Sequence, residues 1–192
     1  TNAINTTVTQ ILSGTAGATA GDIDINETDN ITLTVLTNGN GSIQIVSGGN
    51  IIQDAAVVAT SGGLTYDATG TIAINSTITT DLTVDVDADG VTTILAAGDI
   101  TAGGDVTFGA TRTGTVTTAG DIDTTNDNVT FTRAVTLSGP VAITTTAGAG
   151  DVNFLSTLDG GQTLAVTAGT GNVLFDGAVG GITRLGAVSI TS

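Results

Sequence analysis

Apolar and polar residues alternate with a period of two in run after run of this chain, as in Val141-Ala142-Ile143-Thr144 and Leu164-Ala165-Val166-Thr167. That period puts successive side chains on opposite faces of a strand, and no stretch carries the 3.6-residue period of an amphipathic helix. The runs are short and rich in β-branched residues, and Gly, Asn, Asp or Ser, the residues that turns favour, separate them. The pattern predicts an all-β chain of many short strands.

The runs are copies of one unit. All five aromatic residues occupy a single slot: Tyr66 in Leu64-Thr65-Tyr66, Phe108 in Val106-Thr107-Phe108, Phe131 in Val129-Thr130-Phe131, Phe154 in Val152-Asn153-Phe154 and Phe175 in Val173-Leu174-Phe175. The last four are 23, 23 and 21 residues apart, a spacing at which self-similarity signals a solenoid of stacked units. Units opening at Ile23, Ser42, Leu64, Leu82, Val106, Val129, Val152 and Val173 run from 18 to 24 residues. Each has room for about three short strands, as one turn of a right-handed parallel β-helix requires. About nine such coils at ~4.8 Å each make a rod about 43 Å long, with the aromatic slot forming a ladder of rings in the core.

Residues 1–22 read as an irregular first coil or terminal strand, and residues 23–192 as stacked coils. No linker divides the chain, so it reads as one domain. The residue before the slot is patterned as well: Asp22, Asp81, Asp105, Asn128, Asp151 and Asn172, several of them after glycine. Asx side chains bond nearby backbone N–H groups and tolerate left-handed conformations, so these positions are the expected coil corners. The single proline, Pro140, precedes a strand, where its missing N–H does least harm.

Composition narrows the function. Aromatics are 3% and charged residues 11% of the chain, so the core is built from small aliphatics. Eighteen acids face three arginines and no lysine, a formal charge of −15 that repels phosphate backbones and excludes nucleic acid as a partner. With no cysteine there are no disulfides or thiolate metal sites. No apolar run is long enough to insert in a membrane. The first residues lack a signal peptide's basic start, and the absence of an initial methionine leaves a processed form and an excerpt both open.

Histidine is absent along with cysteine and lysine, so nucleophile–base pairs such as Ser–His, Cys–His and Ser–Lys cannot be built. Parallel β-helices do host polysaccharide hydrolases that use paired carboxylates, but this chain has no adjacent aspartate pair. It reads as a non-enzyme with no catalytic or cofactor-binding residue. The most suggestive local motif is Asp85-Val86-Asp87-Ala88-Asp89-Gly90, the first half of a calcium loop. Ala96 stands where the closing acid belongs, which excludes a helix–loop–helix calcium site. The plainer reading has Leu82, Val84 and Val86 pointing inward and Thr83, Asp85 and Asp87 facing water. The calcium reading draws further ligands from Asp24, Glu27 and Asp29 on neighbouring coils.

Thr-x-Thr pairs such as Thr113/Thr115 and Thr130/Thr132 do not recur at one phase, so threonine here reflects β-propensity on outward faces rather than an ice-binding array. Six of the twelve asparagines lie in Asn-x-Ser/Thr sequons, an excess that suits a glycosylated exterior.

With the units aligned, the stretch from Val173-Leu174-Phe175-Asp176-Gly177 to Val188-Ser189-Ile190-Thr191 resembles the degenerate repeats of large bacterial filamentous-haemagglutinin-like exoproteins. The similarity covers about residues 100 to 192, and the rest only by composition. The resemblance implies a secreted, extracellular or cell-surface protein that forms a long right-handed β-helix and serves as an adhesin or surface fibre. The Asn-Pro motifs of that family's secretion domain are missing, since Pro140 is the only proline. No capping element is evident: the chain runs from alternating Ile4 to Ile11 to a strand-like Leu185 to Thr191. The expected partner is therefore the chain itself, head to tail, or flanking repeats of a longer polypeptide. A surface glycan is the alternative partner, for a carbohydrate- or host-surface-binding module that calcium stabilises.

Overall fold

The computed structural model describes residues 4–6, 10–11, 14–16, 21–146 and 148–192; the rest of the first twenty residues and Ala147 lie outside the described residues. Among the described residues every regular element is a strand, and every strand pairs in parallel with strands one coil away. The result is a β-solenoid with three walls. The first sheet holds nine strands, from Ile4–Thr6 to Val173–Phe175; the second holds eight, from Gln10–Ile11 to Leu158–Asp159; the third holds nine, from Gly14–Ala16 to Val188–Thr191. Eight coils give a strand to every sheet. The ninth supplies Val173–Phe175 and Val188–Thr191 and touches the second sheet only through a bridge from Val179 to Leu158. The expected nine coils are thus eight complete ones and a partial one, and the described part of residues 1–22, read as an irregular first coil or terminal strand, holds the strands Ile4–Thr6, Gln10–Ile11 and Gly14–Ala16.

Sheet-opening strands begin at Ile23, Ile43, Leu64, Val84, Val106, Val129, Val152 and Val173, a step of 20 to 23 residues. Because coils stack in register, each strand position becomes a column along the rod. The inward column of the first wall reads Ile25, Ile45, Tyr66, Val86, Phe108, Phe131, Phe154, Phe175. Its members up to Phe154 are buried, as are the isoleucines, valines and leucines that face them from the other two walls. Strands of three residues with a buried–intermediate–buried pattern recur because three residues span one wall with two side chains inward and one outward.

The aromatic ladder has four contiguous rungs, not five. Phe108, Phe131, Phe154 and Phe175 stack with centroids 4.9, 5.0 and 5.2 Å apart and planes within 7° of parallel. Tyr66 belongs to the same column, but Val86 separates it from Phe108. Its hydroxyl donates instead to Oε1 of buried Gln53, at 3.1 Å. Gln53 Nε2 in turn donates to the carbonyls of Ala55, Ser76 and Thr77, so this amide inside the core is satisfied. Burial pushes the Tyr66 phenol far above its ordinary pKa, and it stays a neutral donor.

Two unit boundaries shift. The second strand of the first wall to be read from a slot opens at Ile43, with Ser42 at the corner, and the fourth opens at Val84 rather than Leu82. Leu82 is 52% exposed, contrary to its expected inward position. Leu82 and Val84 satisfy the same alternation, and pairing with Leu64 selects Val84. The displaced turn is held by Thr80 Oγ1 donating to the Leu82 carbonyl at 2.9 Å. On the third wall, Thr79, Thr101, Asp123, Thr144, Thr167 and Thr191 share one outward column, so single threonines do align although Thr-x-Thr pairs do not.

Truncating a ring in the middle of the ladder removes contacts on both faces. Phe131→Ala should lower stability by about 3–5 kcal/mol, measured by urea denaturation, whereas a loss below about 1 kcal/mol would show that the ring does not sit in a closed core.

Candidate functional site

The fold supplies the acidic motif with a counter-cation, Arg112. Asp67 and Asp87 are register partners on adjacent coils, with Asp89 just beyond. The link between Phe108 and Val116 is longer than its counterpart between Phe131 and Val135, and it folds back over these acids. Thr111 N and Arg112 N donate to the two Asp87 oxygens at 2.7 and 2.9 Å. Arg112 Nε donates to Asp67, and Arg112 Nη1 donates to Asp89 at 2.7 Å. The hydrogen bond to Asp67 raises the guanidinium pKa still further.

The strap begins at Gly109, with φ of +76°, where a Cβ would fall 2.5 Å from Arg133 Cγ. A side chain there meets both backbone strain and a steric clash.

This arrangement corrects the reading of the motif. Asp87 does not face water: it is 5% exposed, its charge satisfied by the strap. Asp85, Asp87 and Asp89 do not converge, because Asp85 points out of the first wall while the other two meet Arg112 at its edge. Asp24 shares the column of Asp85 but lies three coils away, past Gln44 and Thr65, roughly 14 Å at one strand spacing per coil. Asp24, Glu27 and Asp29 are therefore not neighbouring ligands. Among the described residues no group of three or more acids is placed to hold a metal ion. Neither Arg112 nor its strap was expected; the longer link after Phe108 was its signal in the sequence.

The corner residues do more than turn the chain. Asp105 Oδ1 accepts the backbone N–H of Asn128 at 2.7 Å, Asn128 Oδ1 that of Asp151 at 2.8 Å, and Asp151 Oδ1 that of Asn172 at 2.7 Å. Each side chain thus reaches up the rod to its equivalent on the next coil, rather than bonding locally as expected. Asp22 does the same to Ser42, and parallel lines at the other corners run from Asn30 to Asn50 to Thr71 and from Asp99 to Asp121 to Ala142. Asp81 departs from this. The two-residue shift removes it from the column, where Thr83 stands instead, and it accepts from Ser61 on the preceding coil.

Asp85 borders an open hollow of about 260 Å³ lined by Thr83, Val84, Asp105, Thr107 and Ala110. Its Oδ1 is buried without a hydrogen-bond partner. Desolvation first, then the charges of Asp87 and Asp67, raise its pKa above the usual carboxylate range. The fold thus brings two carboxylates that are far apart in sequence, Asp85 and Asp105, to one hollow, with threonine side chains as its other polar lining.

Burial of the inward columns falls off in the ninth coil. In coil eight Val152, Phe154, Leu164 and Val166 are at most 2% exposed; their successors Val188 and Ile190 are each 46% exposed, and Val173 and Phe175 are only partly buried. Leu174, Val179 and Ile182 add exposed apolar area on the same coil. No protein-family model matches this chain, and no curated protein or solved structure matches it either.

Removing the Arg112 side chain leaves Asp67 and Asp89 unpaired at a partly exposed site. Arg112→Ala should cost about 1–2 kcal/mol by thermal or urea denaturation. Calcium should leave the melting temperature of the unaltered chain unchanged, and a calcium-induced rise there would show that the acids hold a metal in place of the arginine.

Proposed function

We propose that this chain is a structural segment of an extracellular fibre or adhesin stalk, extended head to tail through its open β-solenoid ends and carrying no catalytic group. The observation that carries this reading is the ninth coil. Its inward columns continue those of the rod, yet Val188 and Ile190 stand half uncovered where their counterparts Leu164 and Val166 in coil eight are sealed by the next coil. A rod of this kind gains length by adding coils, and each coil is stable only when its neighbours satisfy its edges. The composition fits a load-bearing spacer: small aliphatic core, acidic exterior, no cysteine to be oxidised outside a cell. The resemblance of residues 100 to 192 to filamentous-haemagglutinin-like repeats supplies the extracellular and surface setting.

Carbohydrate or host-surface binding has less support. Aromatic platforms on which sugars stack are lacking, because Tyr66 and the first three phenylalanines are fully buried and Phe175 closes the ladder.

Two copies fused end to end in one polypeptide test the reading. Electron microscopy should show one straight rod of unchanged width and twice the single-copy length, about 86 Å at ~4.8 Å per coil, and a glycan array should stay empty. Two hinged particles, or specific glycan capture, would overturn it.

A further inference from the structure

One link in the middle of the rod is tied down differently from the walls it joins. The turn from the first wall to the second takes three residues in the coils on either side, 89–91 and 132–134, but seven, 109–115, after Phe108. Ala110, Thr111, Arg112 and Thr113 make no backbone–backbone hydrogen bond among the described residues, whereas Gly109 N and Gly114 N on either side donate to the carbonyls of Val86 and Ala88 at 3.0 and 2.9 Å. Gly109 has φ of +76°, and a Cβ at Gly114 would fall 1.8 Å from the Gly90 carbonyl oxygen, so both anchor points require glycine. Four residues are thus slung between two fixed glycines.

The hydrogen bonds of these four residues all run to carboxylates. Asp87 accepts from Thr111 N, Thr111 Oγ1 and Arg112 N, while Asp67 and Asp89 accept from Arg112 Nε and Nη1. The acceptors differ in exposure. The side chains of Asp67 and Asp89 are 36% and 45% exposed, so salt screens their pairing with Arg112, whereas Asp87 is buried and shielded from it. Asp87 is therefore the main catch. A hydrogen bond to an ionised acceptor is roughly twice as strong as a neutral one, so protonating these acids weakens all five bonds together. The backbone ladders of the walls do not titrate. We infer that residues 110–113 form an acid-released latch, closed over Asp87 while Asp67, Asp87 and Asp89 are ionised and freed between Gly109 and Gly114 when they take up protons.

Three further charges face the latch. Asp85 lies on the same strand as Asp87, Asp105 borders the hollow that Asp85 and Ala110 share, and Arg133 packs against Gly109. Burial, then the charges of Asp87 and Asp67, hold the Asp85 pKa above the usual carboxylate range. Its neutralisation on acidification removes a repulsive charge from beside the latch rather than a bond from it. Asp105 repels the latch carboxylates in the same sense, and Arg133 attracts them. The latch belongs to a link within the rod and does not depend on the stalk reading.

Amide hydrogen exchange, corrected for the intrinsic effect of pH, tests this on the unaltered chain. The Thr111 and Arg112 amides should be protected at neutral pH in low and high salt alike. On acidification they should lose protection while the flanking strands Val106–Phe108 and Val116–Thr118 keep theirs. At neutral pH trypsin should cut after Arg112 at least about tenfold faster in Asp87→Asn than in the parent, with Arg133 uncut in both as the mark of a folded rod. Asp85→Asn leaves the catch in place and should release at the same pH or lower. Loss of protection by latch and flanking strands together, opening by salt alone, release of Asp85→Asn at a higher pH, or an Asp87→Asn rod as resistant at Arg112 as the parent would overturn the inference. An Asp87→Asn chain cut as readily at Arg133 as at Arg112 is unfolded, and the acid titration of the unaltered chain then decides.

Discussion

A backbone N–H or C=O in the wall of this solenoid points along the rod, and the partner it meets is the coil above or below. Every pairing among the sheet strands is parallel and in register, so one choice of alignment fixes all three walls at once. A slip of one residue would turn an inward column outward, and a strand that failed to pair would leave buried polar groups unsatisfied on both neighbours. The rest of the structure follows from this constraint. Phenylalanine lies over phenylalanine because the slot repeats, threonines line up on the outer wall for the same reason, and corner aspartates meet the N–H of the next coil because the next coil has a corner there too.

Repetition stacks charge as readily as it stacks rings, and the chain answers that problem locally. Where Asp67 and Asp87 fall into one column, a longer link brings Arg112 across two coils to meet them. Where aspartates follow one another at a corner, as Asp99 and Asp121 do, the lower side chain spends an oxygen on the backbone of the upper. Burial first, and then the charges of Asp87 and Asp67, drive Asp85 toward its neutral form, and its buried oxygen has no hydrogen-bond partner. Inside the rod the polar side chains are bound to carbonyls of the turns: Asn38 to Gly21 and Ser42, Thr124 to Asp127, Thr145 to Gly150. These bonds fix the corners from within while the Asx lines fix them from outside.

How much of this could be read beforehand depended on whether a feature was local or axial. The fold and the aromatic slot were legible because alternation and spacing are properties of the sequence itself. The start of the fourth slot was not, since Leu82 and Val84 obey the same period and only pairing with Leu64 distinguishes them. The motif Asp85-Val86-Asp87-Ala88-Asp89 looked like one loop when read along the chain, whereas its acids are sorted by column: Asp85 to the outer wall, Asp87 and Asp89 to a corner shared with Asp67. Arg112 is 45 positions from Asp67, and no linear motif joins them. The corner residues were recognised as a set, but their partners were one coil away rather than next in sequence.

Residue-resolved amide hydrogen exchange on dilute, monomeric chain tests the axial account most directly. The amides of Val152 and Leu164 donate to Asn172 and Ala187 of the ninth coil; the equivalent amides of Val173 and Val188 face the open end. The account predicts strong protection of the first pair and rapid exchange of the second, although each pair occupies identical slots of adjacent coils. Equal protection of all four would mean the ninth coil is already covered, and rapid exchange of Val152 and Leu164 would contradict the in-register stack itself.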